Sequence, residues 1–288
     1  MSVVRSPAEL EPTDRAVAIG TFDGVHRGHR AAIEAAKSAG LRSTVVTFDP
    51  HPRLVLGYDV KLLTTLSRRI ELIEEAGPDD VLVLEFTEEL SQLEPEQFVA
   101  EVLEPIGTKT VVAAGTFRFG RGRKGDVDLL RKLGMEVREV PVVEGVSSSR
   151  IRELLTEGRM REAAELLGRP HELEGTVVSG DQRGGTLGFP TANLAVDPHV
   201  LVPAYGIYAG AALDGRAAIS IGVNPHYAGS ERRIEAFLLD FEGDLYGREL
   251  RIELWERLRD ERAFGSEEDL IRQIALDVDA TRAAVRPS

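Results

Sequence analysis

Along the first 165 residues the apolar pattern switches repeatedly between two periods, and after residue 168 it stops doing so. Strand-like apolar runs occur at 16–20, 43–48, 81–86, 110–114 and 136–141. Amphipathic stretches with helical spacing lie between them, at 28–39, 67–76, 95–103 and 126–133. Strand, helix, strand at this spacing predicts a parallel sheet wrapped by helices, an α/β Rossmann-like domain. Gly40 and Gly77 fall where helices should stop, and Pro95 suits a first helical turn. Two further helices are expected at 149–156 and 159–167. From there on, strand candidates follow one another, split by turn residues: 172–178, 206–213, 216–223, 233–241 and 249–258. Asp214-Gly215 is a hairpin signal, and Glu242-Gly243-Asp244 marks another turn. A closing helix over 266–281 carries Leu270, Ile271, Ile274 and Val278. Short, evenly spaced strands predict a small antiparallel β-barrel. The expected boundary is Gly168-Arg169-Pro170, with domains at 1–167 and 168–288.

Composition narrows what such a pair of domains can do. The 288 residues are enough for two cores. Lys plus Arg is 35 and Asp plus Glu is 48, a net charge of −13, which disfavours a general nucleic-acid binder. With no cysteine, disulfides, thiolate metal sites, iron–sulfur clusters and cysteine nucleophiles are excluded. No apolar run approaches the roughly 20 residues that span a bilayer. Residues 1–14 carry Glu and Pro rather than a basic region followed by an apolar one, so a cytoplasmic location is expected. No membrane partner is expected, and the sequence fixes no oligomeric state.

Two segments carry chemistry. The first is Gly20-Thr21-Phe22-Asp23-Gly24-Val25-His26-Arg27-Gly28-His29, which leaves a strand and opens a helix. Helix N-termini present free N–H groups and partial positive charge, so they bind phosphate. Gly20, Gly24 and Gly28 allow close backbone approach, and His26 and His29, three apart, can face one ligand. Two imidazoles there can donate hydrogen bonds to charge that builds on a transferring phosphoryl group. The plainer reading is a glycine-rich turn with two solvated histidines. The second segment runs from Gly180 to Leu194 and ends Leu187-Gly188-Phe189-Pro190-Thr191-Ala192-Asn193. Glycine and proline suggest an exposed, shaped loop. Thr191 and Asn193 offer hard oxygens of the kind Mg²⁺ takes, alongside water and phosphate. On spacing alone, a structural proline turn competes with that reading.

Taken together, these strings resemble a known family. The first matches the H-x-G-H signature of nucleotidylyltransferases. Phe48-Asp49-Pro50-His51-Pro52, Phe117-Arg118-Phe119-Gly120 and Val146-Ser147-Ser148-Ser149-Arg150 each follow an expected strand, where ligands bind in open α/β sheets. They resemble the adenylyltransferase half of bacterial bifunctional riboflavin kinase/FAD synthetases. The second segment resembles the flavokinase signature. Tyr205-Gly206-Ile207-Tyr208-Ala209, Gly222-Val223-Asn224-Pro225 and the run from Ile234 to Phe241 follow in the family's order. The two resemblances cover nearly the whole chain.

The resemblance implies roles. In the first domain His26 and His29 would be catalytic and contact the ATP phosphates, with Gly20, Phe22, Asp23, Gly24 and Gly28 completing the cradle. Ser147, Ser148 and Arg150 would grip the triphosphate from a second helix N-terminus, where an ordinary N-cap is the competing reading. Asp49, Pro50, His51, Thr116 and Phe117 would line a flavin site. In the second domain Gly180, Gly188, Thr191 and Asn193 would bind ATP, and Thr191 and Asn193 would bind Mg²⁺. Glu235 would be the general base, which by pattern alone is a solvent-facing position on an alternating strand. Arg259 and Phe264 would contact flavin. Two departures stand out. Thr116 replaces the usual Asp or Asn, and His226 stands where the family often has Thr. The implied reactions are phosphorylation of riboflavin to FMN and adenylylation of FMN to FAD, each using ATP. Thr116 motivates a narrower alternative, a riboflavin kinase with a weak or re-purposed first domain. A non-catalytic flavin-binding protein is a third reading, against which the retained His26, His29, Thr191, Asn193 and Glu235 argue.

Overall fold

Alternate residues on the same strands of the first unit feed two different apolar clusters, so the sheet is buried on both faces. This computed structural model describes residues 1–179, 189–223 and 232–288. By contacts the chain divides into residues 1–62 with 66–147, and residues 63–65 with 148–288.

The first unit holds strands β1 (Ser2–Val4), β2 (Arg15–Ile19), β3 (Arg42–Asp49), β4 (Asp80–Glu85), β5 (Thr108–Ala114) and β6 (Glu136–Val140). Helices between them include α1 (Arg27–Lys37), α2 (Pro52–Val55), α3 (Leu66–Ala76), α4 (Glu88–Gln92), α5 (Pro95–Phe98) and α6 (Val127–Lys132). The strands are ordered β1-β4-β3-β2-β5-β6, and every pairing is parallel. Val17, Ile19, Val46, Leu82 and Val111 pack on one face with Phe98, Leu103 and Leu130. Ala16, Ala18, Val45, Val81 and Val112 pack on the other with Ile33, Leu72 and Ile73. That is why these strands read as continuous apolar runs instead of alternating ones. Strand order reverses between β2 and β5, which makes the crevice above their carboxyl ends the place for a ligand.

β1 went unpredicted because three residues are too few to show a period. The expected helix 95–103 is a single α-turn, α5, continued by a π-helical turn at Val99–Leu103.

The second unit holds α7 (Ser148–Thr156), α8 (Met160–Leu167) and strands β7 (His171–Val178), β8 (Ala192–Val196), β9 (Gly206–Ala212), β10 (Gly215–Val223), β11 (Arg232–Leu238) and β12 (Glu249–Arg259), then α9 (Glu267–Ala283). The six strands close into a barrel ordered β10-β11-β8-β7-β12-β9, antiparallel throughout. The hairpin at Asp214-Gly215 joins β9 to β10 as predicted.

Gly168, expected to mark the domain break, is a helix stop: it caps α8 with φ 75°. α7 and α8 contribute Ile151, Leu154, Leu155, Met160, Ala163 and Leu167 to the same apolar cluster as the barrel. The contact boundary therefore lies ahead of them, between Ser147 and Ser148.

The loop reading of Ala192-Asn193 is also corrected. Both residues lie in β8, where the ladder to β11 uses backbone groups and so tolerates Asn.

The four apolar residues predicted for α9 are half-buried, and its fully buried residues are Asp277 and Thr281. Polar ties hold it instead. Arg259 forks onto Asp277, with Nε–Oδ1 at 2.9 Å and Nη2–Oδ2 at 2.7 Å, and Arg282 pairs with Asp240 at 2.7 Å.

Candidate active sites

In the first unit, His26 is the N-cap of α1. Its Nδ1 accepts the His29 N–H at 3.3 Å. With Nδ1 an acceptor, the ring proton sits on Nε2, leaving that nitrogen a donor. The His29 ring stacks on it at 3.6 Å between centroids, tilted by 14°. Gly28 permits the arrangement, since a Cβ there would stand 3.2 Å from the His26 ring. Phe22, 1% exposed, lies 5.0 Å from the His29 ring, ring to ring. The loop is wound tightly: Phe22 and Val25 take φ of 49° and 37°, and Gly24 takes 82°. Side chains at such angles cost energy and persist where the surroundings enforce them. Asp23, within this loop, is buried, and a Cβ on Gly20 would touch the Phe22 ring at 3.4 Å. Burial, then the neighbouring His26, then Arg69, hold the His29 imidazole well below its usual range. His29 is therefore neutral at pH 7, and among the described residues its Nδ1 has no partner.

The structure brings other expected residues to the same edge of the sheet. Asp49 ends β3, and His51 caps the short helix α2, its Nδ1 accepting the Arg53 N–H at 3.2 Å. Pro50 lies between them. Thr116 is exposed in the turn after β5, and the Phe117 ring stacks on Phe119 at 5.6 Å. Val146 approaches the first turn of α1, because a Cβ on Gly28 would lie 4.0 Å from its methyl. Ser147 follows it and closes the first unit, whereas Ser148 and Arg150 open α7 in the second. Arg150 pairs with Glu153 at 3.0 Å.

Sequence reasoning missed Arg69. It is 3% exposed, with Nη1 donating to the Thr21 carbonyl at 2.9 Å and Nη2 to the Phe48 carbonyl at 3.0 Å. The signal was present: Arg69 lies on the same helical stripe as Leu72, Ile73 and Ala76, where a solvated cation does not belong.

In the second unit Asn193 and Glu235 are registered partners on adjacent strands β8 and β11. Arg233, Glu235 and Phe237 point away from the barrel core, which takes Ile234, Ala236 and Leu238. Arg233 Nη1 stands 3.8 Å from Glu235 Oε1. Phe189 meets Phe237 edge to face at 5.4 Å, which fastens the start of Phe189-Pro190-Thr191 beside Glu235. Thr191 is half-buried just ahead of β8. Arg259 is engaged by Asp277, and the Phe264 ring lies 5.8 Å beneath the Arg259 guanidinium. Gly180, Gly188 and His226 lie outside the described residues.

No group of three His, Cys, Asp or Glu able to hold a metal occurs among the described residues. Thr191 and Asn193 supply neutral hard oxygens beside one carboxylate. That set fits Mg²⁺ arriving with a polyphosphate, whose oxygens complete the shell.

Comparison with known proteins agrees with this division of labour. A family model described as FAD synthetase matches residues 8–152, and one described as riboflavin kinase matches residues 167–285. A bifunctional riboflavin kinase/FMN adenylyltransferase of Listeria monocytogenes is 38% identical, covering 96% of this chain and 94% of its own. A relative with the same name from Escherichia coli is 36% identical, covering 90% of this chain and 89% of its own. A solved structure from Streptococcus pneumoniae, described as a macrolide-efflux protein, superposes with a TM-score of 0.90. It is 31% identical and covers 98% of this chain and 99% of that one. The architecture is thus one in which a nucleotidylyltransferase-like sheet and a riboflavin-kinase-like barrel share a chain. The chain belongs to the bifunctional riboflavin kinase/FMN adenylyltransferase family.

Proposed function

We propose that this protein makes FMN from riboflavin and FAD from FMN, consuming one ATP at each step. One observation carries the reading. A single chain holds two units, one with a stacked histidine pair at a helix N-terminus, the other with an Asn–Glu pair across adjacent barrel strands.

On the barrel, Glu235 takes the proton from the ribityl 5′-hydroxyl as that oxygen attacks the γ-phosphorus of ATP, and ADP leaves. Thr191 and Asn193 would hold the Mg²⁺ that accompanies ATP. Bound Mg²⁺ supplies neutralisation of the charge on the phosphate oxygens. Arg259 and Phe264 border the flavin.

On the sheet, a phosphate oxygen of FMN attacks the α-phosphorus of ATP and pyrophosphate leaves. The free N–H groups of α1 and the His26 Nε2–H stabilise the charge that gathers on the transferring group. His29, kept neutral, stacks against His26 and holds that ring on the ligand. Gly20, Phe22, Asp23 and Gly24 shape the cradle, and Ser147 lies at the end of the segment that approaches it. Ser148 and Arg150 stand at the N-terminus of α7, an end that also suits phosphate. Asp49, Pro50, His51, Thr116 and Phe117 border FMN, the adenylyl acceptor.

We assign adenylylation to the parallel-sheet unit and phosphorylation to the barrel, with small molecules as the partners and the cytoplasm as the location. No helix among the described residues is long and apolar enough to cross a membrane.

The test is direct. Pure protein is incubated with riboflavin, ATP and Mg²⁺ and the flavins are separated. FMN and then FAD are expected. FMN without FAD would leave only the kinase, and recovery of FAD by Thr116→Asp would locate the defect. Absence of both products would refute the proposal.

A further inference from the structure

Arg69 is a buried charge that the proposed chemistry does not use. Its guanidinium lies behind the phosphate loop, held by the carbonyl oxygens of Thr21 and Phe48 at 2.9 and 3.0 Å. The Asp49 carboxylate stands 3.8 Å from Nη2, and Nε has no partner among the described residues. Taking a guanidinium out of water is costly, and an apolar side chain beside Leu72 and Ile73 would avoid that cost. The two carbonyls explain its presence. One opens the loop that contains the strained Phe22 and Val25, and the other belongs to the penultimate residue of β3, just ahead of Asp49-Pro50-His51. β3 is still paired with β4 here, through Phe48–Leu84 and Asp49–Glu85, but its pairing with β2 has ended at Ile19–Val46, and it is on that side that Arg69 takes the Thr21 and Phe48 carbonyls. A rigid fork can reach both carbonyls at once, whereas an ammonium cannot do so in the same plane.

We propose that Arg69 is the positioning residue of the adenylyl-transfer site, tying the phosphate loop after β2 to the end of β3 so that the His26–His29 stack and Asp49 keep their places. The proposal rests on the reading that the first unit transfers an adenylyl group.

The charge has a second effect. His29 is faced by His26 on its own helix and by Arg69 on α3, and Asp23 and Asp49 face Arg69 in turn. Removing the Arg69 charge removes one of the influences that keep His29 neutral. His29 then gains its proton at a higher pH, and the acid limb of the adenylylation profile moves upward.

The experiment uses the full chain carrying Arg69→Met or Arg69→Lys. FAD formation from supplied FMN and FMN formation from riboflavin are each followed from mildly acidic to mildly alkaline pH. Arg69→Met should lower kcat for FAD formation about 100-fold, with KM for ATP changed far less, and shift the acid limb upward. Arg69→Lys, which keeps the charge but not the fork, should lose about tenfold in kcat and retain the wild-type pH profile. Riboflavin phosphorylation should stay within about twofold in both, since its groups lie in the other unit. If Arg69→Met does not fold, Arg69→Lys decides alone. FAD formation within about twofold of wild type, or a loss matched by the kinase in Arg69→Lys, overturns the proposal, as does an unmoved acid limb in a folded Arg69→Met. Wild-type protein that makes no FAD would overturn the adenylyl-transfer reading itself.

Discussion

Asn193 and Glu235 face one another because β8 and β11 are paired at that register, and the chemistry of the barrel depends on it. Glu235→Gln keeps the shape and removes the base. It should lower riboflavin phosphorylation by about 10²–10⁴ while FAD formation from supplied FMN is unchanged, as read by separating the flavins. Equal loss of both activities would contradict separate sites. A second residue, His171, shows what burial alone does. It is 2% exposed, and burial, aided by Arg169, pushes its pKa down to about 3. The unfolded chain binds that proton near pH 6.5, the native barrel only near 3. Stability should fall by about 1.4 kcal/mol for each pH unit across that window as the pH drops. His171→Leu should flatten the decline. Trp255 is the single tryptophan and lies in β12, so its fluorescence follows the barrel's unfolding. An acid limb identical in wild type and variant would dismiss the idea.

At the scale of elements, the amino end of the parallel sheet is pinned by one carboxylate. Asp80 on β4 accepts from Arg15 on β2, from Arg42 on β3, Nε at 2.6 Å, and from Ser2 on β1. Burial works against its charge, yet the bonds from Arg42, Ser2 and Arg15 hold the carboxyl well below the usual range. Its contribution is present above the unfolded carboxylate value near pH 4 and is lost as the pH falls below that. Asp80→Asn leaves Arg15 buried without its partner and should cost about 3 kcal/mol. Far-ultraviolet circular dichroism in denaturant should show the first unit unfolding earlier while the Trp255 transition stays in place. Unchanged first-unit stability would show that the cluster contributes nothing net. The strands of this sheet were legible as runs of Val, Ile and Ala, but the cluster was not. Arg15, Arg42 and Asp80 are far apart in sequence and read locally as ordinary strand ends.

At the scale of the whole molecule, each unit carries its own candidate catalytic groups, so each step should proceed in a chain whose other site is dead. Glu235→Gln protein mixed with His29→Asn protein should form FAD from riboflavin, although neither does so alone. FMN made by the second variant supplies the first. Separation of flavins over time checks this, and a mixture that stops at FMN would mean that both steps must occur on one chain. The domain division was only partly visible in advance. The change from alternating periods to consecutive strands located two architectures, and Gly168 was read as their border. The glycine ends a helix, and the apolar faces of α7 and α8 belong to the barrel's cluster. Sequence shows that a helix has an apolar face, not which surface covers it.

What the sequence determined alone was set by neighbours a few residues apart: the period of each element, the hairpin at Asp214-Gly215, and the loop whose glycines and histidines open α1. Backbone sterics and side-chain spacing act at that range, so those features can be read directly. The tertiary structure decided what depends on residues brought together from afar. The Asn193–Glu235 pair exists only through strand register, and Arg69 reaches two strand ends only because α3 packs on the sheet. The same packing surrounds His29 and keeps it neutral, because desolvation depends on the whole surrounding structure and not on any one neighbour.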